Sequence, residues 1–201
     1  MGSKRDLERR LEAVSGFADP RLDLEQYPTP APLAAELVHL ADLRGDLANR
    51  TVLDLGAGTG VLALGASLRG PARVVGVERD PAALDVARTN EGRLEPPVAV
   101  EWVLGDATRA PLCPAGSVTV LMNPPFGAQR GNVHADRGFL ETAAEVATVS
   151  YSIHNADSRD FLEAFADDNG GSVTAAFAAS LALERQYAHH AEASRDVDVE
   201  V

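Results

Sequence analysis

Two stretches of the sequence combine residue types and spacings that can do chemistry: Asn123-Pro124-Pro125-Phe126, and the run from Asp54 through Gly56, Gly58 and Gly60. Proline has no backbone N–H, so the tandem pair leaves carbonyl oxygens without competing donors, and the residue before each proline is held extended. Together with the side-chain oxygen of Asn123, this stiff corner offers two acceptors, Asn123 Oδ1 and the Pro124 carbonyl, to a flat NH2 group. An aromatic amine is a weak nucleophile because its lone pair is delocalised into the ring. Acceptors that hold both hydrogens orient the nitrogen and favour pyramidalisation as it attacks, so positioning contributes more than a general base would. Phe126 is placed to stack on a flipped or unpaired base, a contact of about 1–3 kcal/mol. The same four residues would otherwise form an Asn-Pro turn with Phe126 in the core.

The glycine run fits a sharp strand-to-helix turn where a ligand meets bare backbone. Gly58, Gly60 and Ala63 also satisfy the G-x-G-x-x-A fingerprint of dinucleotide-binding oxidoreductases, so two cofactor readings stay open at this loop. Glu78 does not choose between them, since an acid at the end of the second strand accepts from ribose hydroxyls in either case. Asp54 leans to S-adenosylmethionine: its carboxylate suits a cationic amino group and would repel a pyrophosphate. Asp106, followed by Ala107, is positioned to accept from the adenine amine of such a cofactor; its plainer reading is a turn or cap aspartate.

These residues need a scaffold, and periodicity supplies one. Short β-branched runs alternate with helical stretches, the pattern of a mostly parallel sheet with helices on both faces. Strands are expected at 51–55, 73–78, 98–104, 117–122, 147–153, 172–178 and 196–201. Helices are expected at 5–14, 31–43, from Val61, from the cap pair Asp80-Pro81 to about Asn90, and from Asp157 to near Gly170. The fold class is therefore α/β and Rossmann-like, with seven strands. Residues 1–50 are read as N-terminal helices and a closing loop, and residues 51–201 as the core, together one structural domain of 201 residues. The last strand reaches the final residue, so a few further residues are expected beyond it.

Composition narrows the setting. No apolar run is long enough to cross a bilayer and six of the first ten residues are charged, so a cytoplasmic protein without a membrane partner is expected. One cysteine, Cys113, excludes an internal disulfide and a cysteine metal cluster, and no metal site is expected around His154, His189 or His190. Thirty acidic residues face 18 basic ones, and Lys4 is the single lysine. Such a surface resembles proteins of salt-loving microbes, or alternatively an acidic enzyme from a GC-rich genome. A net charge of −12 ordinarily argues against a nucleic-acid partner, an argument that weakens in strong salt, where stacking and hydrogen bonds carry affinity.

With those residues in hand, the chain resembles the archaeal and eukaryotic methyltransferase-like proteins that form N6-methyladenosine in small-subunit ribosomal RNA. The likeness rests on Leu24-Glu25-Gln26-Tyr27-Pro28-Thr29, the Asp54–Gly60 loop, Asn123-Pro124-Pro125-Phe126-Gly127, Phe139-Leu140, Tyr151-Ser152-Ile153-His154 and Val197-Asp198-Val199-Glu200-Val201. It implies a class I methyltransferase with S-adenosylmethionine as donor, RNA as substrate, and Gln26, Tyr27 and Thr29 closing over cofactor and target. It also implies a small zinc-ribbon activator protein docking on the edge strand at 98–104, where Val98, Val100, Trp102 and Leu104 would form one apolar face. The chain departs from the family between the last two strands, where Gln186-Tyr187-Ala188-His189-His190 stands in place of lysines. Arg130, Arg137 and Arg185 are the cations left near a nucleic-acid path. DNA adenine, guanine N2 or a protein glutamine would present the same NH2 group, and a catalytically idle binding subunit is disfavoured by intact Asp54, Glu78 and Asn123.

Overall fold

The computed structural model describes residues 2–110, 116–125, 136–184 and 194–200. They form two compact units, Met1–Ser152 and Ile153–Val201.

The first unit opens with α1 (Lys4–Leu11), where Ser3 and Asp6 satisfy each other's backbone N–H groups in a capping box and Leu7 and Leu11 are buried. A short 3-10 turn (Leu22–Leu24) ends on Glu25 in the left-handed region, and α2 (Ala31–Leu43) follows Pro30. Strands and helices then alternate: β1 (Thr51–Leu55), α3 (Val61–Ser67), β2 (Arg73–Glu78), α4 (Pro81–Leu94), β3 (Val100–Leu104), a 3-10 turn (Ala107–Arg109), β4 (Val118–Met122), α5 (Arg137–Val146) and β5 (Val149–Ser152). Every residue of α3 is buried, as a helix covered on both sides must be. The five strands pair in parallel in the order β3-β2-β1-β4-β5, and β1 and β4 are buried almost throughout because helices cover both faces.

This order reverses direction between β1 and β4, the switch point at which open α/β sheets bind ligands. Leu55 and Met122, the last residues of the two strands, lie abreast in the register. Gly56 and Asn123 therefore leave the sheet side by side. The topology itself brings the two chemically suggestive stretches together.

The second unit contains β6 (His154–Asn155), a 3-10 turn (Ala156–Ser158), α6 (Arg159–Asp168), β7 (Ala178–Glu184) and β8 (Ser194–Glu200), with the strands antiparallel in the order β6-β8-β7. The expected seven-stranded sheet is thus a five-stranded parallel sheet and a separate three-stranded one. The run expected as one strand at 147–153 ends at Ser152, and its continuation pairs in the other sheet. The strand expected at 172–178 is absent there and begins at Ala178 instead: alanine and leucine favour helix, and pairing with β8 overrides that preference. β3 starts at Val100 rather than 98, with the Val98 carbonyl taken up by the Ser67 hydroxyl. Among the described residues no helix is long and apolar enough to cross a membrane.

Candidate functional site

At the end of β1 the chain turns through Gly56, Gly58 and Gly60 at φ of +72°, +54° and +91°, a region side chains avoid. Gly56 and Ala57 N–H both reach the Val77 carbonyl at 2.9 Å, which ties the loop to β2. A methyl group on each glycine would collide with an aromatic ring: Phe139 at 2.9 Å from Gly56, Phe17 at 2.9 Å from Gly58 and Trp102 at 2.7 Å from Gly60. The glycines therefore make room for the protein's own rings as well as baring the backbone. Phe17, Trp102 and Phe139 are distant from this loop in sequence, and no local pattern links them to it; the family likeness singles out Phe139, and Trp102 only as part of the edge strand.

Asp54, 1% exposed at the foot of this loop, accepts the Ala63 N–H at 2.8 Å. Burial, opposed by that hydrogen bond and reinforced by the charge of Glu78, pushes its carboxyl up to about 7. A buried carboxylate in this state gains from a cationic partner. Glu78, at the end of β2, accepts Gly58 N–H on one oxygen and the N–H groups of Arg79 and Asp80 on the other, all at 2.8 Å. The oxygen that takes Gly58 N–H alone keeps a second lone pair, so a hydroxyl donor can still be accepted there, whereas the other oxygen is already filled by two N–H groups.

Asp80, foreseen as a helix cap, accepts Ala82 N–H at 3.0 Å and also the Gln26 amide at 2.7 Å. Gln26 in turn accepts Arg21 N–H at 2.8 Å, so the segment carrying Gln26, Tyr27 and Thr29 is fastened to the start of α4. Burial raises the Tyr27 hydroxyl above its ordinary range. Asp106 is exposed and caps the turn that follows, accepting the Thr108 N–H at 3.0 Å and hydroxyl at 2.8 Å; the N–H bond is the chief reason its carboxyl is held low. Its cap reading is realised, and its second oxygen is not engaged in these bonds. Ala107 beside it is buried.

At the end of β4, the Asn123 side-chain N–H donates to Thr29 Oγ1 at 2.8 Å. Asn123 Oδ1 is buried and has no hydrogen-bond partner among the described residues. An unsatisfied buried acceptor is a cost of about 1–3 kcal/mol that a donor from a ligand would remove. Pro124 is buried and Pro125 half-buried, while Phe126, Gly127, Arg130 and Arg185 lie outside the described residues. Arg137 is exposed and ion-paired with Glu141 at 3.0 Å, so it points to no nucleic-acid path by itself.

The arrangement has carboxylates where a cation would be held and a free acceptor where an amine would arrive. A pyrophosphate would face the Asp54 carboxyl, which disfavours the dinucleotide reading, while Glu78 suits either cofactor.

A family model described as the methyltransferase small domain matches residues 35–150. The rRNA N(6)-adenosine-methyltransferase Mettl5 of Drosophila melanogaster is 36% identical over 206 residues, covering 98% of this chain and 93% of that protein. An uncharacterised protein of Methanocaldococcus jannaschii is 34% identical over 94% of this chain and 88% of its own length. Among solved structures, a Pyrococcus horikoshii protein described as a candidate RNA methyltransferase superposes with a TM-score of 0.88 at 39% identity, covering 100% of this chain and 96% of the other.

Proposed function

The chain belongs to the methyltransferase small-domain family, and from that premise we propose that it is an S-adenosylmethionine-dependent methyltransferase acting on adenine N6 of ribosomal RNA. The observation that carries this reading is the buried Oδ1 of Asn123, without a hydrogen-bond partner among the described residues, beside the glycine loop. The relatives named for rRNA N6-adenosine methylation support the substrate class.

The residues suit such a donor. Asp54 would meet the amino group of its methionine moiety, Glu78 the ribose hydroxyls and Asp106 with Ala107 the adenine, with Gly56, Gly58 and Gly60 giving close backbone approach. Gln26, Tyr27 and Thr29 would close the site from the N-terminal side. When bound, S-adenosylmethionine supplies a methyl group already activated on a sulfonium. Asn123 Oδ1 and the Pro124 carbonyl then accept the two hydrogens of the target amine and aim its nitrogen at the methyl carbon. As the N–C bond formed the C–S bond would break, leaving a neutral thioether, and the amine proton would pass to solvent, since the two carbonyl oxygens orient that hydrogen but are too weakly basic to keep it. Phe126 completes the reading by stacking on the flipped base.

Within ribosomal RNA, the small subunit is the proposed target. A small zinc-ribbon protein that adds a strand along β3 is the proposed partner. Asn123→Ala should abolish methyl transfer to ribosomal RNA while leaving S-adenosylmethionine affinity within about threefold, whereas Glu78→Ala should weaken cofactor binding about tenfold or more. Calorimetric titration and nucleoside mass spectrometry measure the two effects; substantial turnover by Asn123→Ala would remove the assigned role.

A further inference from the structure

We propose that Thr29 is a positioning residue, which holds the Asn123 carboxamide by its nitrogen end so that the oxygen end faces the target amine. The inference rests on the amine-holding reading of Asn123 and goes one step beyond it. A carboxamide has ends of nearly equal size and opposite hydrogen-bonding character, so packing alone does not choose which end faces the site. Turned round, Asn123 would present N–H groups to an incoming NH2, donor against donor. The Thr29 Oγ1 atom lies 2.8 Å from Asn123 Nδ2 and accepts from it, which leaves Oδ1 as the buried acceptor without a partner among the described residues.

The placement of that hydroxyl is itself stiff. Thr29 stands between Pro28 and Pro30, which restricts the backbone on both sides. Three residues earlier, Gln26 fastens the same segment to Asp80 at 2.7 Å and to the Arg21 N–H at 2.8 Å. Pro28-Thr29-Pro30 and Asn123-Pro124-Pro125 are therefore two rigid, donor-poor segments joined by one hydrogen bond, although 94 residues separate its ends. A rotatable threonine hydroxyl can accept here provided its own hydrogen turns away from Nδ2. That requirement is met equally by serine and not by valine.

The test uses the full chain, S-adenosylmethionine and unmodified ribosomal RNA transcribed in vitro. At saturating cofactor, Thr29→Val should lower the single-turnover transfer rate by about 10- to 100-fold, the scale of loss expected from a misaligned reacting group. Its S-adenosylmethionine Kd should change by less than about threefold, and Thr29→Ser should recover most of the rate. Thr29→Ala removes the hydroxyl without adding bulk and should match valine, which separates orientation from a packing or folding defect. A wild-type rate in Thr29→Val and Thr29→Ala, a loss confined to Kd, or a loss that serine does not restore would each overturn the inference. If Asn123→Ala is inactive while Thr29→Val is fully active, this inference alone falls. If Asn123→Ala itself turns over, the reading beneath it falls as well.

Discussion

Asp54 illustrates how one residue is drawn toward opposite protonation states. Burial and the neighbouring Glu78 charge push its carboxyl up to about 7, while a cationic ligand favours the ionised form. In the unliganded protein the folded state keeps a proton that the unfolded chain has already released between about pH 4 and 7. More protons bound in the folded state means that stability falls as pH rises through that window and stays low above it. Asn in place of Asp keeps an acceptor for the Ala63 N–H and has no such proton to lose. Asp54→Asn should therefore gain stability relative to the wild type as pH is raised from 5 to 8, by an amount on the order of 3 kcal/mol at most. Urea denaturation across that range checks it, and a difference independent of pH would show that the carboxyl is not the titrating group. Asn123 poses the matching problem in a neutral group, since its buried oxygen has no hydrogen-bond partner among the described residues.

Elements place these groups, and one close joint between them is the pairing of Gly76 on β2 with Trp102 on β3. A Cβ at Gly76 would lie 2.6 Å from the indole and 3.3 Å from the Ala57 methyl. Gly76→Ala should cost about 1–3 kcal/mol through overpacking, and less in a Trp102→Leu background where the ring no longer occupies the hollow. Chemical denaturation of the two single variants and the double variant measures that coupling; additive losses would mean the ring does not fill the space. Much of this framework was legible beforehand. β1, β2 and β4 are apolar runs ended by glycine, acid or Asn-Pro, and Asp80-Pro81 marks the start of α4 by well-understood capping chemistry. Legibility ended where local preference and tertiary pairing disagree. Ala178–Glu184 is built from helix-favouring residues and becomes a strand only through β8. Nothing in Ser152-Ile153-His154 announces a change of sheet. Within the site, the glycines, Glu78 and Asn123 could be read from neighbours in sequence, whereas Gln26 to Asp80 and Thr29 to Asn123 are contacts across 54 and 94 residues.

At the scale of the whole molecule, a net charge of −12 sets the terms of association. The net charge opposes long-range attraction to RNA, so recognition falls to stacking and hydrogen bonding. β3 is an edge strand of the parallel sheet, and its apolar positions grade outward: Val100 is buried, Trp102 half-buried and Leu104 60% exposed. This corrects the uniform apolar face expected from the sequence, because α4 covers the beginning of the strand through Glu91, which accepts the Val100 N–H and the Trp102 indole N–H at 2.7 Å each. Co-expression with a small zinc-ribbon protein of the proposed kind should raise the melting temperature by several degrees and improve solubility, and Leu104→Glu should cancel both gains; equal behaviour of the protein alone and in the mixture would remove the partner. Trp102 has one more consequence. It is the single tryptophan of the chain, and its indole rests against Gly60, the residue from which α3 springs. The protein thus carries an intrinsic fluorophore at the base of its glycine turn, so that emission from one native side chain can follow ligand occupancy and unfolding without any label.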